Sequence, residues 1–160
     1  MAIQELHWGA SLTQQSKTAA EGTGAPRNYF IWTIGCQMNT ADSDRLGSAL
    51  QQMGLSQATS MKDADVVVLN SCVVRQSAED KVTGTLGMLK PLKTDNPNRI
   101  VALMGCMVGP KAEELAKRFK HVDVFMQPQQ YEPLINLLGE RLGIDTEGCL
   151  SNLSDINADV

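Results

Sequence analysis

The sequence of 160 residues predicts one doubly wound α/β domain, in which helices cover both faces of a parallel sheet. Short apolar, β-branched runs alternate with longer segments whose apolar residues recur at helical spacing. The run Val66–Leu69 is apolar at four consecutive positions, as expected for a central strand that is covered on both sides. Three of the predicted strands are followed by a cysteine, which directs attention to one edge of the sheet.

The first half of the chain predicts three strands and two helices. Aromatic and β-branched residues indicate a first strand at Tyr29–Ile34, and helical spacing indicates a helix over Thr40–Met53. Ser56–Ser60 is predicted as a short second strand. The third strand is Val66–Leu69, and a long helix is expected over Ser77–Leu92.

The second half continues the alternation with two strands and two helices. A buried strand is predicted at Arg99–Met104, and the next helix has Pro110 in its first turn and ends near Phe119. Val122–Met126 and Gln129–Leu142 complete the pattern as the last strand and helix. Five strands that alternate with helices favour a flavodoxin-like sheet with the strand order 2-1-3-4-5.

Composition divides the chain into a flexible arm (1–27), a folded domain (28–142) and a linker or tail (143–160). The formal net charge of −4 does not favour a free-standing nucleic-acid-binding domain, which is usually basic. No apolar run approaches the roughly 20 residues of a membrane span. A secretion signal is not visible in the first residues, so the sequence predicts a cytoplasmic protein that does not contact membranes.

The chain has four cysteines, Cys36, Cys72, Cys106 and Cys149, none of them in a Cys-x-x-Cys pair. The first three follow predicted strands 1, 3 and 4, which are neighbours in the order 2-1-3-4-5 and about 4.8 Å apart. Each also precedes a helix, whose N-terminal end favours thiolate over thiol. We therefore expect Cys36, Cys72 and Cys106 to converge on a metal, with Cys149 in the tail as a non-ligand.

Three thiolates without an obvious fourth ligand favour an iron–sulfur cluster with one open iron, since structural zinc generally has four protein ligands. Gly35 and Gly105 remove side chains beside two sulfurs, which suggests room for a bulky group. Asp42, Asp44 and Arg45 are expected to be ordinary charges on a helix face unless they line the cleft.

Two alternatives remain open. One is a metal-free flavodoxin-like module that binds a nucleotide or flavin at the same edge, although no Gly-rich phosphate loop follows strand 1. The other is a thiol-redox or zinc protein, because neighbouring strand ends can bring two Cα atoms within the roughly 4.4–6.8 Å that a disulfide requires. Cys36 and Cys72 are the expected disulfide pair in an aerobic, cluster-free preparation.

Five motifs surround the cysteines: Gly35-Cys-Gln-Met-Asn39, Ala41-Asp-Ser-Asp44, Asn70-Ser-Cys-Val-Val-Arg75, Ala78-Glu-Asp-Lys-Val82 and Gly105-Cys-Met107. Together they closely resemble the N-terminal domain of the radical-SAM methylthiotransferases, which insert a methylthio group into tRNA or a ribosomal protein. The resemblance covers about residues 28–140 and is strongest to the branch that modifies isopentenyl-adenosine in tRNA.

The resemblance implies that Cys36, Cys72 and Cys106 hold an auxiliary 4Fe-4S cluster, which presents the sulfur that is inserted. It assigns no catalytic side chain. Six further residues of the motifs are expected near the cluster: Gln37, Asn39, Asn70, Ser71, Arg75 and Gly105.

The family's Cys-x-x-x-Cys-x-x-Cys motif does not occur in this sequence. In the family that motif binds a second 4Fe-4S cluster, which cleaves S-adenosyl-L-methionine (SAM). The C-terminal RNA-binding domain is also missing. The chain alone is therefore expected to be inactive, and its expected partners are the radical-SAM and RNA-binding domains, a sulfur donor and tRNA.

Overall fold

The structure, a computed structural model, describes residues 25–72, 76–106, 108–148 and 150–151. In these residues five strands alternate with four helices. The strands are β1 (Asn28–Ile34), β2 (Ser56–Gln57), β3 (Val66–Ser71), β4 (Ile100–Gly105) and β5 (Val124–Met126). The helices are α1 (Gln37–Gln52), α2 (Gln76–Asp95), α3 (Val108–Arg118) and α4 (Glu132–Leu142). Most of the predicted arm, residues 1–24, lies outside the described residues.

All pairings in the five-stranded sheet are parallel, and the strand order is β2-β1-β3-β4-β5. This confirms the predicted flavodoxin-like α/β class and its strand order. In a parallel sheet every strand ends at the same edge, so the segments after β1, β3 and β4 lie side by side.

The helices cover the sheet on both faces, as the apolar run in β3 predicts. Val66 and Val68 belong to one core, which α1 and α4 complete. Val67 and Leu69 belong to the other, which α2 and α3 complete. Successive side chains of a strand point to opposite faces, so a strand buried on both sides must be apolar at every position. Among the described helices, none is both long and apolar enough to span a membrane.

Several elements differ from the prediction in length: α1 begins at Gln37, β3 continues to Ser71, and β5 is limited to Val124–Met126. β2 has only two residues, Ser56 and Gln57, because it pairs with β1 only at the first positions of that strand. α2 continues through Pro91 to Asp95 instead of ending at Leu92. Pro91 and Gly87, four residues before it, are both exposed, so water can bond the carbonyl group that the proline ring leaves without a donor.

Candidate functional site

The candidate site lies at the carboxyl ends of β1, β3 and β4, which end level with one another. Ile34 pairs with Ser71, and Ser71 pairs with Gly105. Cys72 and Cys106 are the next residues after β3 and β4. Because Ser71 and Gly105 are paired, the backbones of Cys72 and Cys106 leave neighbouring strands at the same level.

Cys36 lies two residues beyond β1 and is the N-cap of α1, with an extended backbone (φ −91°, ψ −175°). Hydrogen bonds from two backbone N–H groups lower the pKa of the Cys36 thiol below its ordinary value. The bond from Met38 has the larger effect, and the bond from Asn39 the next. A side-chain hydrogen bond with Cys72 acts in the same direction. For this cysteine the helix end has the effect on the thiol that the sequence predicts.

The three cysteines differ in their surroundings. None of these three described cysteines is part of a disulfide, and Cys36 and Cys106 are exposed whereas Cys72 is partly buried. The side-chain hydrogen bond that contributes to the lowered pKa of Cys36 joins it to Cys72. Across the part of the chain that the structure describes, no three Cys, His, Asp or Glu side chains form a metal-binding group. The strand ends thus supply three sulfur donors, and Cys72 is close enough to Cys36 to contribute to the lowered pKa of its thiol.

The two glycines beside the cysteines do not leave the space that the sequence suggests. Both have positive φ, 151° at Gly35 and 134° at Gly105. A Cβ atom on Gly35 would lie 2.8 Å from the Cβ of Cys72 and 2.4 Å from Oδ1 of Asn39. A Cβ atom on Gly105 would lie 1.8 Å from the backbone oxygen of Ser71. The protein itself fills the space beside these residues, so the glycines permit close approach of the strand ends.

A buried polar network connects β3 with the first turns of α1. The Nδ2 atom of Asn70 donates hydrogen bonds to the backbone oxygen of Asn39 (2.8 Å) and to Oγ of Ser43 (2.9 Å). Asn39 returns a bond from its Nδ2 to Oδ1 of Asn70 (3.1 Å) and accepts from the Cys36 N–H at 3.3 Å. A further bond of 2.7 Å joins the hydroxyl groups of Ser43 and Thr33. Asn39 and Asn70 therefore lie between two predicted ligands.

The other residues predicted near the cluster have mixed positions. Gln37 is exposed at the start of α1. Ser71 is fully buried, and within the described residues its Oγ has no hydrogen-bond partner. Arg75 lies outside the described residues, as does Cys149. The hydrogen bonds between Asn39 and Asn70, and from the Cys36 N–H to Asn39, bring Cys36 close to the end of β3, where Cys72 follows.

Asp42 is a residue whose role the sequence analysis missed. It is 7% exposed, contrary to the expectation of a helix-face charge, and its carboxylate accepts a hydrogen bond from the Tyr131 hydroxyl at 3.1 Å. Burial, together with the negative charge of Asp42, raises the pKa of Tyr131. Arg45 lies 3.8 Å from the same carboxylate. Asp42 precedes Leu46 by four positions and so shares its buried face, a signal that the sequence contains.

A polar cleft of about 420 Å³ lies between α1 and β1, outside the cysteine edge. Its lining includes the hydroxyl groups of Thr33, Thr40 and Ser43 and the carboxylate of Asp44, and no lysine or arginine is among its lining residues. No cation for a phosphate group is thus present in the lining of this cleft, which lies apart from the edge where the nucleotide-binding alternative places its ligand.

A protein-family model and two curated relatives match most of this chain. The model of the "Uncharacterized protein family UPF0004" matches residues 28–127. A protein of Clostridioides difficile is 35% identical over 160 residues, which cover 99% of this chain and 32% of that protein. A protein of Chloroflexus aurantiacus is 42% identical over 125 residues, which cover 78% of this chain and 27% of that protein. Both are named tRNA-2-methylthio-N(6)-dimethylallyladenosine synthase, and this chain spans about a third or less of their length.

Proposed function

Since this chain belongs to the UPF0004 family, the N-terminal domain of the methylthiotransferases, we propose that it is the auxiliary iron–sulfur domain of a tRNA methylthiotransferase. The observation that carries the proposal is the position of three cysteines at the level ends of three neighbouring strands, inside the family's matched domain. Homologues across most of the chain are tRNA methylthiotransferases.

In this proposal Cys36, Cys72 and Cys106 hold a 4Fe-4S cluster. The three thiolates would be its protein ligands, and a cluster with one open iron would supply the site for the sulfur that is inserted. The chain's own residues supply the donors and their support. The start of α1 favours the thiolate form of Cys36, and the close strand ends at Gly35 and Gly105 fix where the ligands leave the sheet.

The remaining steps are assigned to the part of the relatives that this chain does not span. SAM cleavage at a second 4Fe-4S cluster, binding of tRNA and attack on the adenosine base would require the radical-SAM and RNA-binding domains. The isolated chain is therefore proposed to be catalytically inactive while retaining its cluster, with a sulfur donor as a further partner. Modification of tRNA would place this activity in the cytoplasm.

Anaerobic reconstitution with iron and sulfide tests the proposal. Wild type should take up about four irons per chain, as a 4Fe-4S cluster requires, and develop the broad visible absorption of iron–sulfur proteins. Replacing Cys36, Cys72 or Cys106 with alanine should remove most of the bound iron, because each substitution takes away one of three protein ligands. Iron and sulfide analysis, together with the visible spectrum, measures the result.

The matched control is Cys149→Ala, which removes a thiol of the chain while preserving the three proposed ligands. It should bind as much iron as wild type. Far-UV circular dichroism of each variant separates loss of a ligand from loss of the fold. Full iron uptake by Cys72→Ala, or stoichiometric zinc in place of iron in wild type, would contradict the proposal.

A further inference from the structure

The amide group of Asn39 has a fixed orientation. An amide has an acceptor side and a donor side, and the Nδ2 donor of Asn39 is bound to Oδ1 of Asn70 at 3.1 Å. Its acceptor Oδ1 must then face the other way, where it receives the Cys36 N–H at 3.3 Å and lies 3.5 Å from the Cys36 sulfur. The bond to Asn70 thus determines which end of Asn39 meets Cys36.

Asn70 is itself held rigidly. It is 1% exposed and lies in β3, which pairs with a strand on each side. Both donor positions of its amide are used, toward the backbone of Asn39 and toward Ser43. A buried amide whose bonds are all made cannot rotate without leaving unpaired polar groups, which costs about 1–3 kcal/mol for each group.

Cys72 is connected to the same bridge through the main chain. It follows Asn70 by two residues, and its N–H donates to the backbone oxygen of Ile34 at 3.0 Å. The bridge from Asn70 through Asn39 therefore sets the position of Cys36 relative to Cys72. For Cys106, the described residues show no comparable side-chain hydrogen bond, and the residue is exposed.

We propose that Asn39 and Asn70 are positioning residues that hold Cys36 beside Cys72 as a preformed dithiol, to which Cys106 is added as the adaptable third ligand. The relevance of the pair to cluster binding rests on the proposed function, whereas the pair itself does not. A rigid pair reduces the number of groups that must be ordered when the third donor joins, which is the usual advantage of a preorganised site.

Phenylarsine oxide tests the pair without iron. The arsenical joins two neighbouring thiols by forming two As–S bonds, and its oxygen leaves as water with the two thiol protons. The experiment uses the full chain with Cys106→Ala and Cys149→Ala, so that only Cys36 and Cys72 remain. This parent should bind one equivalent, and adding Asn70→Ala should weaken its affinity at least about tenfold, corresponding to about 1.4 kcal/mol.

Two further variants separate positioning from general stability. Asn39→Ala removes the same bridge from the helix side and should give the same loss, which also covers the case that Asn70→Ala does not fold. Ser43→Ala removes another bond of Asn70 but leaves the pair of Asn39 and Asn70 intact. Its affinity should stay within about threefold of the parent's even where the domain is less stable.

The results distinguish this inference from the proposed function. Parent-like affinity in Asn70→Ala and Asn39→Ala overturns the inference, and so does an equal loss in Ser43→Ala. If the arsenical results hold and wild type takes up no iron, the dithiol stands and the cluster role fails. If wild type binds iron but the parent does not bind the arsenical, only the preformed pair is wrong.

Discussion

Replacing Gly105 with alanine should destabilise the domain by about 3 kcal/mol or more, because two independent costs combine. Its φ of 134° is strained for any residue with a side chain. The new Cβ would also lie 1.8 Å from the backbone oxygen of Ser71 and 2.8 Å from its carbonyl carbon. These are backbone atoms at the end of the central strand β3 and cannot move aside as a flexible side chain would. Urea unfolding followed by circular dichroism measures the loss.

The matched control is Gly84→Ala in α2. Nothing lies within 4 Å of the Cβ position at Gly84, and its backbone is helical. Alanine there should stabilise the domain by about 0.5–1 kcal/mol, since it restricts the unfolded chain and favours the helix. Opposite signs for the same substitution separate close approach at Gly105 from a general effect of alanine. Equal unfolding midpoints for Gly105→Ala and wild type would show that β3 and β4 are not in the described contact.

The fold could be predicted because burial leaves a repeated pattern in the sequence. A strand segment that packs against apolar cores on both faces is apolar at successive positions, and Val66–Leu69 of β3 meets this condition. The end of the strand was harder to locate, because Asn70 and Ser71 continue β3 although they are polar. Both are buried at the edge where the site lies. Their polar character therefore predicts the end of the strand two residues too early.

The position of the three cysteines after neighbouring strand ends could likewise be predicted from topology alone, since strand order and direction bring these ends to one edge of the sheet. The hydrogen bonds that hold Cys36 in place could not be predicted in this way. The pair of Asn39 and Asn70 depends on which face each residue occupies and on the orientation of two amide groups. Both features depend on the distance between α1 and β3, which must be correct to a fraction of a hydrogen-bond length for the two amide groups to meet. A sequence pattern specifies periodicity but not that distance.

The same limit explains why the sequence at Gly35 and Gly105 suggests space for a bulky group that the structure does not leave. A glycine in a sequence signals that a side chain is missing, but not what occupies its place. In the structure Asn39 and Cys72 surround the Cβ position of Gly35. The site is therefore more closely packed on its protein side than the sequence suggests. This packing supports the view that two ligands are fixed before a third is added.

Replacing Arg99 with methionine should lower the free energy of unfolding by about 3 kcal/mol, because one buried cation holds three backbone segments at the opposite end of the sheet. Arg99 is 7% exposed, and its guanidinium donates to the backbone oxygens of Ala64 (2.8 Å), Leu92 (2.9 Å) and Lys62 (2.7 Å). Leu92 lies in the last turn of α2, where its carbonyl also accepts the Asn96 N–H at 3.2 Å and the negative end of the helix dipole favours a cation. Urea unfolding measures the loss.

Two variants test the cause of this effect. Arg99→Lys keeps the charge but not the planar fork that reaches three acceptors, so it should recover only part of the stability. Arg141→Met removes an exposed arginine from the last turn of α4 and should change stability by less than about 0.5 kcal/mol. Because Arg99 acts far from the cysteine edge, folded Arg99→Lys should bind phenylarsine oxide as wild type does. Wild-type stability in Arg99→Met would mean that the three carbonyl groups find other donors, and that the guanidinium does not close this end of the sheet.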